Sequence, residues 1–221
     1  MLTDYTPLIT QLAQDGAGHV TEDDIAAALA LAVLRYSQDR PRRAVTDVTL
    51  ATAARQVDLP EGWVADFSEL TQVEYPLDQA PPALLPRGEA WTLYETPDGP
   101  VLLGTGEWPA GAVLRLTWTL PHLLDEDTDT LPARHREAVA CWAAALLCEQ
   151  LASRYAANSE PTLQADRVDQ TAPQKAYSQR AQALRQRYLD EIGVDAKRNL
   201  ATGVVVSPSR RDSRGRPRVT H

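Results

Sequence analysis

Long apolar runs are missing from this sequence, and so is a basic leader: Met1-Leu2-Thr3-Asp4 opens the chain on an acid. The expectation is neither a signal peptide nor a membrane span, hence no membrane partner and a protein made and kept in a cytosol-like compartment. Cysteine is scarce. Cys141 and Cys148 fall seven residues apart in an alanine-rich helical stretch. Two helical turns would hold them about 10 Å apart along the axis, too far for a mutual bridge. They are expected to be buried small hydrophobes, not part of a disulfide framework.

Motif chemistry is missing too. No Gly-x-Gly-x-x-Gly follows a strand, no Gly-x-x-x-x-Gly-Lys-[Ser/Thr] phosphate loop occurs, and there is no Gly-x-Ser-x-Gly elbow, so nucleotide binding and serine hydrolysis lose their usual handles. The four histidines, His19, His122, His135 and His221, keep no metal-ligand spacing with one another or with the cysteines. No catalytic residue, cofactor or metal site is assigned. His135, in Arg134-His135-Arg136-Glu137, is expected at a surface or interface.

What is present is ordinary for a globular chain: 43% hydrophobic and 24% charged residues over 221 positions, enough to bury a sizeable core. Phenylalanine occurs once against sixteen prolines. Many of those prolines stand in the middle third, which predicts turns and extended segments there with helices on either side. Charge is uneven. From Asp195 to His221 there are seven Lys or Arg against two acids, a net of +5 in a chain of net −8, so the rest carries −13. An acidic body with a basic tail fits a tail that docks on something negative: an acidic protein surface, a sister subunit or nucleic acid.

Along the chain, a short helix is expected around Tyr5 to Gln14, ended by Gly16 and Gly18. Thr21-Glu22-Asp23-Asp24 reads as a helix start, with Thr21 as N-cap and acids in the first turn where the dipole favours them. Ile25, Leu29, Ala32, Val33 and Tyr36 recur at helical spacing, while Ala28, Leu31 and Leu34 make the other faces apolar too, predicting a helix buried on more than one side and stopped ahead of Pro41. Ala44 to Ala51 alternates as a strand. From Trp63 to Leu120, short strands are predicted at Glu69 to Leu77, Ala90 to Glu95, Val101 to Thr105 and Ala112 to Leu120, with Thr96-Pro97-Asp98-Gly99-Pro100 as a hairpin turn. A long alanine-rich core helix should follow from about Pro132 to Asn158, roughly 40 Å at 1.5 Å per residue. After a polar connector, a last helix from about Pro173 to Ile192 should carry Tyr177, Ala181, Leu184, Tyr188 and Ile192 on a narrow stripe and stop at Gly193. The fold class is therefore α+β, mainly α. Residues 1–60 and 121–194 should form a helical bundle, 61–120 an inserted small β-subdomain, and 195–221 an extended basic C-terminal tail, disordered in isolation.

Two segments carry candidate chemistry. Asp125, Glu126, Asp127 and Asp129 could bind a cation, repel DNA in a pore or simply make a solvated loop. In the tail, Arg210, Arg211, Arg214, Arg216 and Arg218 could neutralise phosphates, pair with carboxylates on a partner, or only keep the end soluble. Val204, Val205 and Val206 ahead of them look able to add a strand to an exposed sheet edge.

The run Cys148-Glu149-Gln150-Leu151-Ala152-Ser153-Arg154-Tyr155-Ala156-Ala157-Asn158-Ser159-Glu160-Pro161-Thr162-Leu163-Gln164-Ala165-Asp166 resembles one found in head-to-tail connector, or adaptor, proteins of tailed bacteriophages. The helix Tyr177 to Leu189 after a polar connector, and the order helix, β-insert with Glu74-Tyr75-Pro76-Leu77, long helix, connector, last helix and free tail, are similar to that family as well. The specific resemblance covers about residues 125 to 193, with looser support from 20 to 120. It implies a non-enzymatic virion neck protein, a homo-oligomeric ring of about twelve subunits beneath the portal through which DNA passes. The tail residues Val204 to Val206 and the five arginines would dock on the portal protein, and Asp125, Glu126, Asp127 and Asp129 would be lumen or interface acids. The β-insert, with Tyr75, Trp91, Tyr94 and Trp118 as candidate exposed aromatics, would face a tail-side neck or stopper protein, at least half of these aromatics being the insert's own core. The alternative is a nucleic-acid-binding accessory protein using the arginine tail.

Overall fold

The computed structural model describes residues 2–157 and 173–194; the expected connector after Ala157 and the expected tail lie outside the described residues. Two structural halves are built on separate cores. One is helical: α1 (Leu2–Ala13), α2 (Glu22–Asp39), α3 (Arg136–Ala157) and α4 (Pro173–Ile192). The other holds six strands: β1 (Arg42–Thr49), β2 (Ala54–Asp58), β3 (Leu70–Glu74), β4 (Trp91–Thr96), β5 (Gly99–Trp108) and β6 (Val113–Leu120). The α+β expectation holds.

Local chemistry sets the helix ends. Thr21 Oγ1 accepts from the Asp24 amide at 3.2 Å while the Asp24 carboxylate accepts from the Thr21 amide at 2.9 Å, a reciprocal capping box that fixes the start of α2. The Arg40 amide closes its last turn on the Tyr36 carbonyl at 2.8 Å, and Pro41 cannot continue. α1 ends earlier than its glycines suggest, at Gln14, which takes φ 51° and donates back to the Thr10 carbonyl. Gly193 at φ 66° terminates α4 in the left-handed conformation that glycine adopts at least cost. α3 is shorter than the expected long helix: a 3₁₀ turn over Ala133–His135 precedes it, and its 22 residues span about 33 Å.

α3 packs against α1, α2 and α4. Ala138, Ala140, Ala143, Ala144 and Ala145 are all fully buried along it. A methyl side chain lets a neighbouring helix approach closely without leaving a void, so a helix with this composition can be surrounded. Tyr5, Ile9, Leu29, Tyr36, Leu147 and Tyr188 fill the remaining space. Cys141 and Cys148 are buried free thiols, as expected, and burial pushes both up to about 11.

The strands form two antiparallel three-stranded sheets, ordered β1-β6-β3 and β2-β5-β4, over one shared core that includes Leu70, Trp91, Leu102, Leu114, Leu116 and Trp118. Arg43 pairs with Thr119 and Val48 with Leu114 along β1 and β6, and β2 joins β5. The β half therefore begins at Arg42, not at residue 61. The segment 42–58 was placed with the helices because its hydrogen-bonding partners lie more than forty residues away, beyond the reach of local periodicity. Arg115 on β6 clamps its sheet, bidentate to Asp47 of β1 at 2.8 Å and 3.8 Å from Glu74 of β3. The Pro97-Asp98 turn joins β4 to β5 with Thr96 opposite Gly99, as the turn residues predict.

Gly104 on β5 is required by contact. A Cβ there would lie 2.7 Å from the Trp108 ring and 2.8 Å from the Gly106 carbonyl oxygen, and backbone cannot yield as a flexible side-chain tip does. Gly104→Ala is expected to displace Trp108 and cost about 1–3 kcal/mol in a urea titration; Gly106→Ala, with open space around its position, serves as the comparison.

The halves meet at a polar joint. Ser37 Oγ donates to the Val33 carbonyl at 2.7 Å and accepts from the His122 amide at 2.9 Å. The His122 ring nitrogens lie 3.0 Å from the Arg40 carbonyl and 2.9 Å from the Thr130 carbonyl. Next to them Tyr36, 1% exposed, sets its hydroxyl 2.5 Å from His135 Nδ1. His135 is thus half-buried at this joint. Burial, then the charges of Arg134 and Arg40, then His122, hold its pKa below the usual 6.5. A depressed histidine leaves stability whole above the unfolded value and lost as pH falls through the folded one. The urea midpoint should therefore drop as the pH falls below the usual histidine pKa of about 6.5. His135→Gln should flatten that drop, and an unchanged slope would remove His135 as its source.

Candidate interaction surface

The helical half leaves one apolar face uncovered. From Ile25 to Leu34 α2 carries no polar residue, and a stretch apolar all round belongs inside a core. Ile25, Ala28, Leu29, Ala32, Val33 and Tyr36 are indeed buried, but Leu31 and Leu34 are 56% and 50% exposed, with Ala27 and Ala30 beside them. Positions 27, 31 and 34 share one stripe, since residues four and three apart stack on a helix. The expectation that α2 is buried on more than one side holds for the inner faces and fails on this one.

Below the stripe runs a groove of about 560 Å³, walled by Asp24, Ala27 and Leu31 of α2 and floored by Leu146, Leu151 and Glu149 of α3, with Arg154 and His19 at its far end. One helical turn before Leu146 on α3, beyond the groove lining, stands half-buried Trp142. The Arg35 guanidinium from α2 lies 5.0 Å from the centre of the Trp142 ring and that of Arg185 from α4 lies 5.3 Å away. Two cations over one indole contribute about 0.5–1 kcal/mol each at partly exposed sites. Each is also tied to an acid: Arg35 to Asp39 at 2.7 Å and Arg185 to Glu149 at 2.7 Å. Asp39 accepts in addition from the Tyr188 hydroxyl at 2.7 Å, and burial followed by that carboxylate raises the Tyr188 pKa. These contacts fix the Trp142 end of the groove as a rigid, partly apolar platform of the kind partner chains use.

The acid-rich loop divides into unlike parts. Asp125 Oδ1 accepts from the amides of Asp127 at 2.9 Å and Thr128 at 2.6 Å, closing its own turn, and these bonds hold its carboxyl below the usual range. Glu126 and Asp127 are exposed. Asp129 is not available to a lumen: its side chain is 2% exposed, accepts from Arg136 at 2.9 Å and from the Leu131 amide at 2.9 Å, and lies 3.5 Å from the Tyr5 hydroxyl. It joins α1 and α3 to the loop. Among the described residues no three His, Cys, Asp or Glu side chains gather as a metal site requires. None of the described helices is long and apolar enough to cross a membrane.

The four candidate aromatics separate as well. Trp91 and Trp118 are 1% and 2% exposed and belong to the sheet core, Tyr75 packs against that core, and Tyr94 alone stands out at 56%. The stretch bearing Val204, Val205, Val206, Arg210, Arg211, Arg214, Arg216 and Arg218 lies outside the described residues. The Leu31–Leu34–Trp142 face was missed as a site; its signal in the sequence is the unbroken apolar run of α2 from Ile25 to Leu34.

No protein-family model and no curated protein matches the sequence. Among solved structures, a chain described as "Neck of empty GTA particle computed with C6 symmetry" matches 78% of this chain and 87% of its own length, at 16% identity and a TM-score of 0.28, a likeness too slight to carry an argument about this chain.

Proposed function

We propose that this protein is a structural, ring-forming adaptor of a tailed bacteriophage, seated between portal and tail and letting DNA pass. The observation that carries the reading is the uncovered apolar face of α2: a helix whose middle turns, Ile25 to Leu34, hold only apolar residues completes its core by association, and Leu31, Leu34 and Trp142 offer the anchor residues of an interface. The resemblance of residues 125 to 193 to connector proteins supplies the kind of assembly. The order that carries the resemblance, a helix, a β-insert, a long helix and a last helix, is compatible with α2, β1 to β6, α3 and α4. In this reading neighbouring protomers bury the α2 face in the ring, the basic tail anchors the ring on the portal protein, and the β half with exposed Tyr94 meets the tail-side neck or stopper component. Glu126 and Asp127 are the acids of the loop left for a lumen or interface.

Native mass spectrometry of the chain mixed with portal rings tests this. The adaptor adds about a dozen copies per portal. Leu31→Asp with Leu34→Asp, both at exposed positions, leaves a folded chain that no longer forms the ring, and removing Arg210 to His221 leaves one that no longer joins the portal. A chain that ignores portals and shifts only with DNA, in a salt-sensitive way, would instead make the arginine tail a nucleic-acid binder.

A further inference from the structure

We infer that in the free chain the α2 face is covered by the protein's own C-terminal segment, Val204 to Val206 lying on Leu31 and Leu34 and the arginines after them reaching Glu22 and Asp23. Where the described chain stops is the first reason. The Arg40 guanidinium donates to the Ile192 carbonyl at 2.5 Å, and Gly193 packs beside the same guanidinium, so the chain leaves α4 at the C-terminal end of α2, next to the Trp142 end of the groove.

Length is the second. From Arg40 back to Leu34 and Leu31 is about 9–14 Å along the helix axis, at 1.5 Å per residue. The eleven steps from Val194 to Val205 reach about 36 Å when extended, ample for the turn. Beyond Val205 the spacings match. Leu34 to Asp23 is eleven residues of helix, about 16 Å. Val205 to Arg210 is five residues of extended chain, about 17 Å.

Charge is the third. Glu22 and Asp23 are exposed on the first turn of α2 and make no ion pair among the described residues, whereas the segment from Asp195 carries +5. Arginine pairs bidentately with such carboxylates. Arg154 and His19 also stand at this end of the groove, Arg154 donating to the His19 carbonyl at 2.8 Å, so the arginines settle on the outer acids rather than in the groove floor. A sheet edge with an exposed valine, that of β1 with Val45 59% exposed, opens on Arg42 and Arg43, which repel an arginine tail. A tail held on the α2 face blocks the surface that the adaptor reading assigns to ring neighbours, so that tail departure to a portal and ring closure become one coupled step. That consequence rests on the adaptor reading; the docking itself does not.

Cross-linking of the free, full-length chain tests the docking without any portal. Leu31→Cys with Val205→Cys, mildly oxidised, should give an intramolecular disulfide about tenfold faster than Val45→Cys with Val205→Cys, since an undocked tether samples both sites alike. The native thiols are buried and stay out of the exchange. Glu22→Gln with Asp23→Asn should slow the first cross-link towards the second. Equal rates for the two pairs, a faster Val45 pair, or a disulfide found only in dimers and growing with protein concentration would each overturn the inference. Because no portal is present, failure here leaves the portal-binding result standing on its own.

Discussion

Leu147→Ala should cost about 3–4 kcal/mol of unfolding free energy and lower the melting temperature by roughly 10 °C, the scale expected when a buried leucine is truncated in a chain of this size. Leu147 is fully buried on α3, and it borders a pocket of about 130 Å³ lined also by Thr10, Ala13, Val20 and Ile25. A site that already adjoins empty space has fewer atoms able to relax into the gap, which keeps the cavity contribution in full. The comparison is Leu31→Ala, a leucine on the neighbouring helix at 56% exposure, made in a chain cut before Val204 so that no docked segment enters, and expected to change stability by less than about 0.5 kcal/mol. Urea titrations of both variants separate the two positions. A loss below about 1 kcal/mol for Leu147→Ala would show that α1 and α2 do not seal α3 as described.

The same pair of leucines marks where sequence reasoning reached and where it stopped. Features written in a few adjacent residues came through: Thr21 at the N-cap of α2, the Pro97-Asp98 hairpin turn, and Gly193 at the end of α4. Each is a local hydrogen-bonding or dihedral requirement. Burial is not local. Leu31 and Leu34 look as apolar as Leu29, and only the arrangement of α3 and α4 decides which of them meets protein and which meets water. β1 was legible as an alternating strand but not as a member of the β half, because β6 pairs with it from seventy residues away. α3 reads from sequence as an alanine-rich core helix and is one: its methyl groups are buried together with Val139, Leu147 and Leu151, while Trp142 and Leu146 are only partly covered. As for function, composition singled out the tail and the acid loop, and the uncovered face of α2 needed the fold.

Within the acid loop, Asp129→Ala should be far more damaging than changes at its neighbours. Its carboxylate is the acceptor for Arg136, the Leu131 amide and the Tyr5 hydroxyl, and burial followed by the Asp129 charge raises the pKa of that tyrosine, itself 1% exposed. Truncation leaves a buried amide and a buried hydroxyl without their acceptor, at about 1–3 kcal/mol for such a group. Arg136 remains 40% exposed and can turn to water, so its lost ion pair adds little. A total of about 2–3 kcal/mol is expected, against less than about 0.5 kcal/mol for Glu126→Ala or Asp127→Ala, whose side chains are exposed. Asp129→Asn keeps an acceptor oxygen for Leu131 and should recover part of the loss. Under the proposed adaptor reading the order reverses in particle assembly: Glu126 and Asp127 are exposed, so Glu126→Gln with Asp127→Asn is the variant that tests a lumen or interface role, while Asp129 reads out folding. Equal stability losses at all of these positions would mean that the loop is uniformly solvated and that Asp129 does not hold α1 and α3 to it.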